Sequence, residues 1–194
     1  MNFSEPEEFS SEIEKGTHTL LLYEDKDRAN SIRIDFVKKG LLKNQPCVYI
    51  TTDNDSSDFK KTLSERGVDI EKLEKDGLFH IYNIGNPFTS HGSLSKFVEK
   101  TCSDITKKVK SPFRIACNFI GDVASLSENQ VNELLENESS IHNEFGKSED
   151  YLLCTYYVGN INSKSDSKFL DAIRQHHSVM FAPLNSKGIG FNLS

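Results

Sequence analysis

HTLLLY (18–23), PCVYIT (46–51) and GLFHIY (77–82) are three short apolar runs, and what separates them decides the fold. The first is followed by a polar turn, EDKDR (24–28), and then by an amphipathic segment reaching Leu42. The second is followed by Phe59, Leu63, Val68, Ile70 and Leu73 at helical spacing, interrupted at Gly67. Apolar run, helix, apolar run, helix, apolar run is the pattern of a parallel sheet with crossover helices, because parallel neighbours cannot be joined by a tight hairpin.

Outward from this stretch the alternation continues. The first helix is expected to start near Asp27, a good N-cap type, with Ala29, Ile32, Phe36 and Val37 facing the sheet and Gly40 close to its end. Asn86-Pro87 and Ser90-His91-Gly92 are turn signals before a helix over about 93–108. A buried fourth strand is expected over 113–119, a long acidic helix over 126–145 and a fifth strand over 151–157. A helix over 167–175, a sixth strand over 179–182 and a final strand over 188–193, hairpinned with the sixth, complete the pattern. The leading residues 1–16 form an acidic N-terminal segment with Phe3, Phe9 and Ile13 as anchors, expected to lay a short helix across the sheet. Residues 17–194 form the domain proper.

A length of 194 residues suits one full core and is marginal for two. The net charge of −6, with both signs interspersed, argues against a nucleic-acid footprint, which needs a basic face. The apolar runs fall far short of the ~20 residues of a membrane span, and no secretory leader is expected. A cytoplasmic location is expected, with no membrane partner. Cys47, Cys102, Cys117 and Cys154 show no CxxC spacing and read as reduced core residues. His18 and His80 fall in strands, where a satisfied imidazole is expected. His176-His177 are adjacent, an arrangement that does not direct both rings to one metal.

The turn after the first strand is where a phosphate loop would lie. Such a loop needs glycines for close backbone approach, plus a lysine and a hydroxyl. Residues 23–31 contain no glycine, and the five charges of Glu24-Asp25-Lys26-Asp27-Arg28 sum to −1. A carboxylate about 4 Å from a phosphate costs on the order of 4 kcal/mol at an effective dielectric near 20. ATP·Mg is therefore expected to bind only at millimolar Kd or worse, with no hydrolysis. Gly146-Lys147-Ser148 matches the end of a Walker motif, but it follows a helix and precedes a strand, the reverse of the required order. Gly188-Ile189-Gly190 is part of a dinucleotide fingerprint with no helix to follow it.

Tyr23, Tyr156 and Tyr157 end the first and fifth strands. Ligands of open parallel sheets bind outside the carboxyl ends of the strands, and tyrosines there offer apolar walls with a polar tip.

Several segments resemble a known family. GLLKNQPCVYIT (40–51), GVDI (67–70) and GLFHI (77–81) resemble the RecA/KaiC-type ATPase core. With HTLLLY (18–23), LCTY (153–156) and DAIRQH (171–176), the set is similar to the MEDS family of sensory domains, related to KaiC but lacking the phosphate loop. The resemblance implies a RecA/KaiC-like three-layer α/β/α sandwich with a mainly parallel sheet. It also implies a sensory role, in a stand-alone module acting with a histidine kinase or a transcription regulator. Asp53-Asn54 stand where KaiC-type ATPases carry paired glutamates, and Asn118 where a Walker B aspartate is expected. Both departures point away from ATP hydrolysis.

The expectation is thus a non-catalytic sensory domain without a cofactor or metal, binding a small molecule or partner protein at the C-terminal edge of the sheet. A degenerate nucleotide binder and an oligomeric scaffold are the alternatives, and a homo-oligomer is compatible with either. The expected lining is Tyr23, Glu24, Arg28, Thr52, Asp53, Asn118 and Tyr156: the carboxylates as acceptors, Arg28 as a donor and the tyrosines as walls.

Overall fold

The apolar runs fold as strands of one sheet in a computed structural model, which describes residues 5–52, 55–90, 92–159, 169, 173, 178–184 and 188–192. The strands are β1 (Thr17–Tyr23), β2 (Cys47–Thr51), β3 (Phe79–Asn83), β4 (Arg114–Asn118), β5 (Tyr151–Tyr157), β6 (Ser178–Ala182) and β7 (Ile189–Asn192). Their order across the sheet is β3-β2-β4-β5-β1-β6-β7. Neighbours from β3 to β6 are parallel, and β7 returns antiparallel on β6 as the expected hairpin.

Two cores cover the sheet's faces, making three layers. On one face lie α1 (Pro6–Glu12), α2 (Lys26–Leu42), α3 (Asp55–Glu65) and α4 (Ile70–Lys75), bringing Phe9, Ile32, Phe36, Phe59, Leu63 and Ile70 against Leu21, Tyr49 and Leu153. On the other lie α5 (Leu94–Lys108) and α6 (Glu128–Phe145), whose Phe97, Ile105, Val131 and Leu134 meet Leu20, Ile50, Ile115 and Leu152. Strand residues bury on both sides, as parallel strands under crossover helices must. Tyr49 stacks on Phe59 with ring centroids 3.8 Å apart.

Local chemistry sets the boundaries. Helix α2 begins two residues earlier than a cap at Asp27 would allow. The Asp25 carboxylate accepts the Arg28 N–H at 3.0 Å, while Asp27 places its charge in the first turn, where the helix dipole favours it. The pattern after β2 splits into α3 and α4 because Gly67 adopts φ +84°, a conformation that glycine enters without a Cβ penalty. A 3-10 turn, Val123–Ser125, precedes α6, whose start is fixed by a capping box between Ser127 and Gln130. Helix α1 is the short helix expected across the sheet, and Phe9 and Ile13 are its buried anchors. Of the helix expected over 167–175, Phe169 and Ile173 are helical and buried; the rest, with Asp53 and His176-His177, lies outside the described residues. Cys47, Cys117 and Cys154 are buried, Cys102 is half-buried, and none of the four forms a disulfide. No helix among the described residues is long and apolar enough to cross a membrane.

Candidate functional site

The chain leaves β2 toward the α3 face and leaves β4 toward the α6 face, which opens a crevice at the C-terminal edge between these two neighbours. A cavity of about 340 Å³ occupies it. Thr52 enters from the end of β2, Asn86, Pro87 and Phe88 from the loop after β3, and Phe119, Ile120 and Gly121 from the loop after β4. Ser125, Leu126 and Gln130 close it from the start of α6. The loop after β3 is held by its own polar groups: Asn86 Oδ1 accepts the Phe88 N–H at 3.0 Å, and the Asn86 carbonyl accepts the Ser90 hydroxyl. Neutral polar groups and apolar walls line the cavity, and no charged side chain does so among the described residues.

Of the expected site residues, Thr52 lies in this cavity, and Tyr23, Glu24 and Arg28 lie two strands away, at the end of β1. Each of these three is engaged there. Glu24 Oε2 accepts the Leu184 N–H at 2.9 Å, which ties the first turn to the segment after β6. The Arg28 guanidinium meets Glu7 at 2.7 Å and Glu5 at 2.9 Å, strapping α1 to the start of α2. Tyr23 packs against Tyr157 at 5.6 Å, and the Arg33 guanidinium lies 5.8 Å from the Tyr23 ring centre.

The fifth strand presents Tyr157 to Tyr23, not Tyr156. The register pairs Tyr23 with Tyr157 and Leu22 with Tyr156, and alternate residues face opposite sides of a sheet. Tyr156 is buried in the other core, donates its hydroxyl to Glu138 Oε1 at 2.5 Å and meets Phe169 edge-on. Asn118 is half-buried, and its Oδ1 accepts the Thr155 hydroxyl at 3.3 Å. Arg33 donates to the same hydroxyl at 3.3 Å, so a buried cation stands near the position where a Walker B carboxylate was expected.

The strap on α1 has a pH dependence. Hydrogen bonding to Arg28 holds the Glu7 carboxyl below its ordinary 4.5, against the opposing effect of its burial. A depressed folded-state value stabilises docking above the unfolded value, and that stabilisation is lost as pH falls through the folded one. Amides of Phe9 to Ile13 are therefore expected to exchange faster, after correction for intrinsic rates, at pH 3 than at pH 7. Arg28→Ala should bring the pH 7 rate toward the acid one.

Sequence reasoning passed over a second polar group, buried beneath α6. His18 Nε2 lies 3.2 Å from Glu138 Oε2, and both side chains are essentially inaccessible. Cys154 completes a trio whose ligand atoms all lie within 4.8 Å of one another. Burial opposes protonation of His18, but the Glu138 carboxylate, with Cys154, outweighs it and raises the imidazole to about 10. Burial, with Glu138 alongside, pushes the Tyr156 phenol well above its usual range and so keeps it a donor. Next to His18 and Glu138, Cys102, Cys117 and Cys154 line an apolar slot between α5 and α6. The signal for this group was available only in part: His18 stands at the head of an apolar run, whereas Glu138 looks like any acid of a solvated helix.

A search of curated proteins finds no match. A family model described as MEDS, the methanogen/methylotroph, DcmR sensory domain, matches residues 17–178. That span runs from the first residue of β1 to the first of β6 and takes in both the edge cavity and the buried trio. The chain belongs to the MEDS family of sensory domains.

Proposed function

We propose that this domain is a non-catalytic sensory module that binds a small, neutral, partly apolar molecule in the crevice between the ends of β2 and β4. The observation that carries this reading is the 340 Å³ cavity, with its Thr52, Asn86, Ser125 and Gln130 polar groups set among Phe88, Phe119, Ile120 and Leu126. Its size falls in the range of small-ligand pockets, and the absence of a lining charge among the described residues favours holding a neutral molecule over acid–base chemistry. The cavity walls include the start of α6, so occupancy would bear directly on a helix that packs across β1. A histidine kinase or transcription regulator, in the cytoplasm, is the output this reading entails, with Tyr23, Glu24 and Arg28 holding the turn after β1 in place, two strands from the cavity.

Native mass spectrometry of protein purified from its source tests the reading by looking for a retained small molecule. Gly121 lines the cavity and a Cβ built there meets nothing within 4 Å among the described residues, so Gly121→Leu adds bulk at the cavity wall without an immediate clash. This variant is expected to lose the retained mass while its stability stays within about 0.5 kcal/mol of the parent. Retention by Gly121→Leu would move the site elsewhere. Calorimetry with ATP·Mg separates the nucleotide alternative. The Arg28 guanidinium is already committed to Glu5 and Glu7, and the Asp25 carboxylate already caps α2, so a Kd near 1 mM or weaker, about −4 kcal/mol, is expected. Micromolar binding abolished by Arg28→Ala would replace the sensor reading.

A further inference from the structure

We propose that His18, Glu138 and Cys154 form a binding site for one divalent transition-metal ion of the zinc class, with an open coordination position facing the slot between α5 and α6. The three donors are an imidazole nitrogen, a carboxylate oxygen and a sulfur, all buried and within 4.8 Å of one another. Such a mixed N/O/S set suits zinc and its borderline neighbours, and it does not suit magnesium or calcium, which take oxygen ligands. A tetrahedral ion with bonds of about 2.0–2.3 Å holds its ligand atoms about 3.5 Å apart. The 3.2 Å from His18 Nε2 to Glu138 Oε2 is already close to that spacing, and the thiol needs a shift of at most about 1.3 Å from the 4.8 Å limit.

The scaffold is rigid where a metal needs it to be. His18 stands on β1 and Cys154 on the neighbouring β5, two register steps apart on one face of the sheet: Leu20 pairs with Cys154, and His18 with Leu152. Glu138 comes down from α6, and its second oxygen is held by the Tyr156 hydroxyl. A hydrogen-bonded partner on the unused carboxylate oxygen is the usual support of a metal-bound carboxylate.

Three protein ligands leave a tetrahedral ion one position short, as in sites that exchange a water or small ligand. Cys154 and Cys117 line a cavity of about 30 Å³, enough for one water-sized ligand. That cavity shares Cys102, Ile115 and Phe145 with a second one of about 170 Å³ between α5, α6 and β4. The pair gives a small molecule a mostly apolar approach to the open position, on the face of the sheet opposite α2.

Cobalt(II) titration of the chelator-treated protein tests the site, because cobalt replaces zinc and reports its ligands optically. One equivalent should bind with an intense four-coordinate visible spectrum and a sulfur-to-cobalt charge-transfer band in the near ultraviolet, and zinc should erase both. Cys154→Ser should remove the charge-transfer band, Glu138→Gln should weaken binding tenfold to a hundredfold, and Cys102→Ser should change neither. Circular dichroism of each metal-free variant separates loss of a ligand from loss of the fold. If Cys154→Ser fails to fold, the wild-type charge-transfer band and the Cys102→Ser and Glu138→Gln titrations decide. Absence of the band in the wild-type protein, its persistence in folded Cys154→Ser, or its loss in Cys102→Ser would overturn the proposal.

Discussion

Glu138→Ala is expected to lower the stability of the metal-free fold by about 3–5 kcal/mol, the scale for removing one partner of a buried charged pair. Two groups lose their counterpart at once. The His18 imidazole, 3.2 Å away and fully buried, loses the carboxylate that favours its charged form. The Tyr156 hydroxyl loses the oxygen to which it donates, deep in a core that also contains Phe169. Since domains are stable by only about 5–15 kcal/mol, this is a large share of the total. Urea denaturation provides the measurement, with Glu136→Ala as the control. Glu136 is exposed on the same helix, and its loss should change stability by less than about 0.5 kcal/mol. A midpoint for Glu138→Ala close to that of the control would show that the buried pair contributes little to the fold.

Gly40→Val is expected to cost about 2–3 kcal/mol, for a different reason: overpacking. A Cβ at this buried position in α2 would lie 2.5 Å from Cys47 Sγ and 2.6 Å from Arg114 Cδ. Neither neighbour gives way easily. Arg114 is held between rings, 4.8 Å from the centre of Phe36 and 4.3 Å from that of Tyr151, and its Nε donates to Gln45 Oε1 at 2.8 Å. At about 2–4 °C per kcal/mol for a domain of this size, the melting temperature should fall by about 4–12 °C. Adding Cys47→Ala should restore part of the loss, because it removes the nearer of the two atoms. A Tm unchanged by Gly40→Val would mean that α2 rides higher over β2 and β4 than these distances say.

The sheet was legible in the sequence because each strand is a short apolar run bounded by polar turns, and the helices between runs require parallel pairing. The candidate site was less legible, for a geometric reason. One residue of register at a strand end exchanges faces, so Tyr156 and Tyr157 cannot be told apart until β5 is aligned with β1. The turn after β1 was correctly identified as lacking glycine and rich in charge. What its charges do depended on partners elsewhere: Glu5 and Glu7 for Arg28, and the Leu184 amide for Glu24. Phe88 and Gly121 belong to loops that signal a turn and nothing more, so the cavity they help to line had no sequence signature. Glu138 was hidden in the same way, since its partners His18 and Tyr156 come from two strands that meet only in the fold.

The position of β1 also sets an order of events during synthesis. It precedes β2, β3 and β4 in the chain, yet its neighbours are β5 and β6, which follow all three. At about 5–20 residues per second, the HTLLLY run leaves the ribosome on the order of ten seconds before Tyr151–Tyr157 exists to pair with it. In that interval β2, β3 and β4 can already form their own sheet, because Cys47 to Asn118 contains every residue they need. The opening run meanwhile remains an unpaired apolar strand with both edges open, the kind of segment that holdase chaperones shield and that crowded nascent chains pair in the wrong places. Synthesis speed over residues 24–150 thus governs how long the centre of this sheet stays exposed.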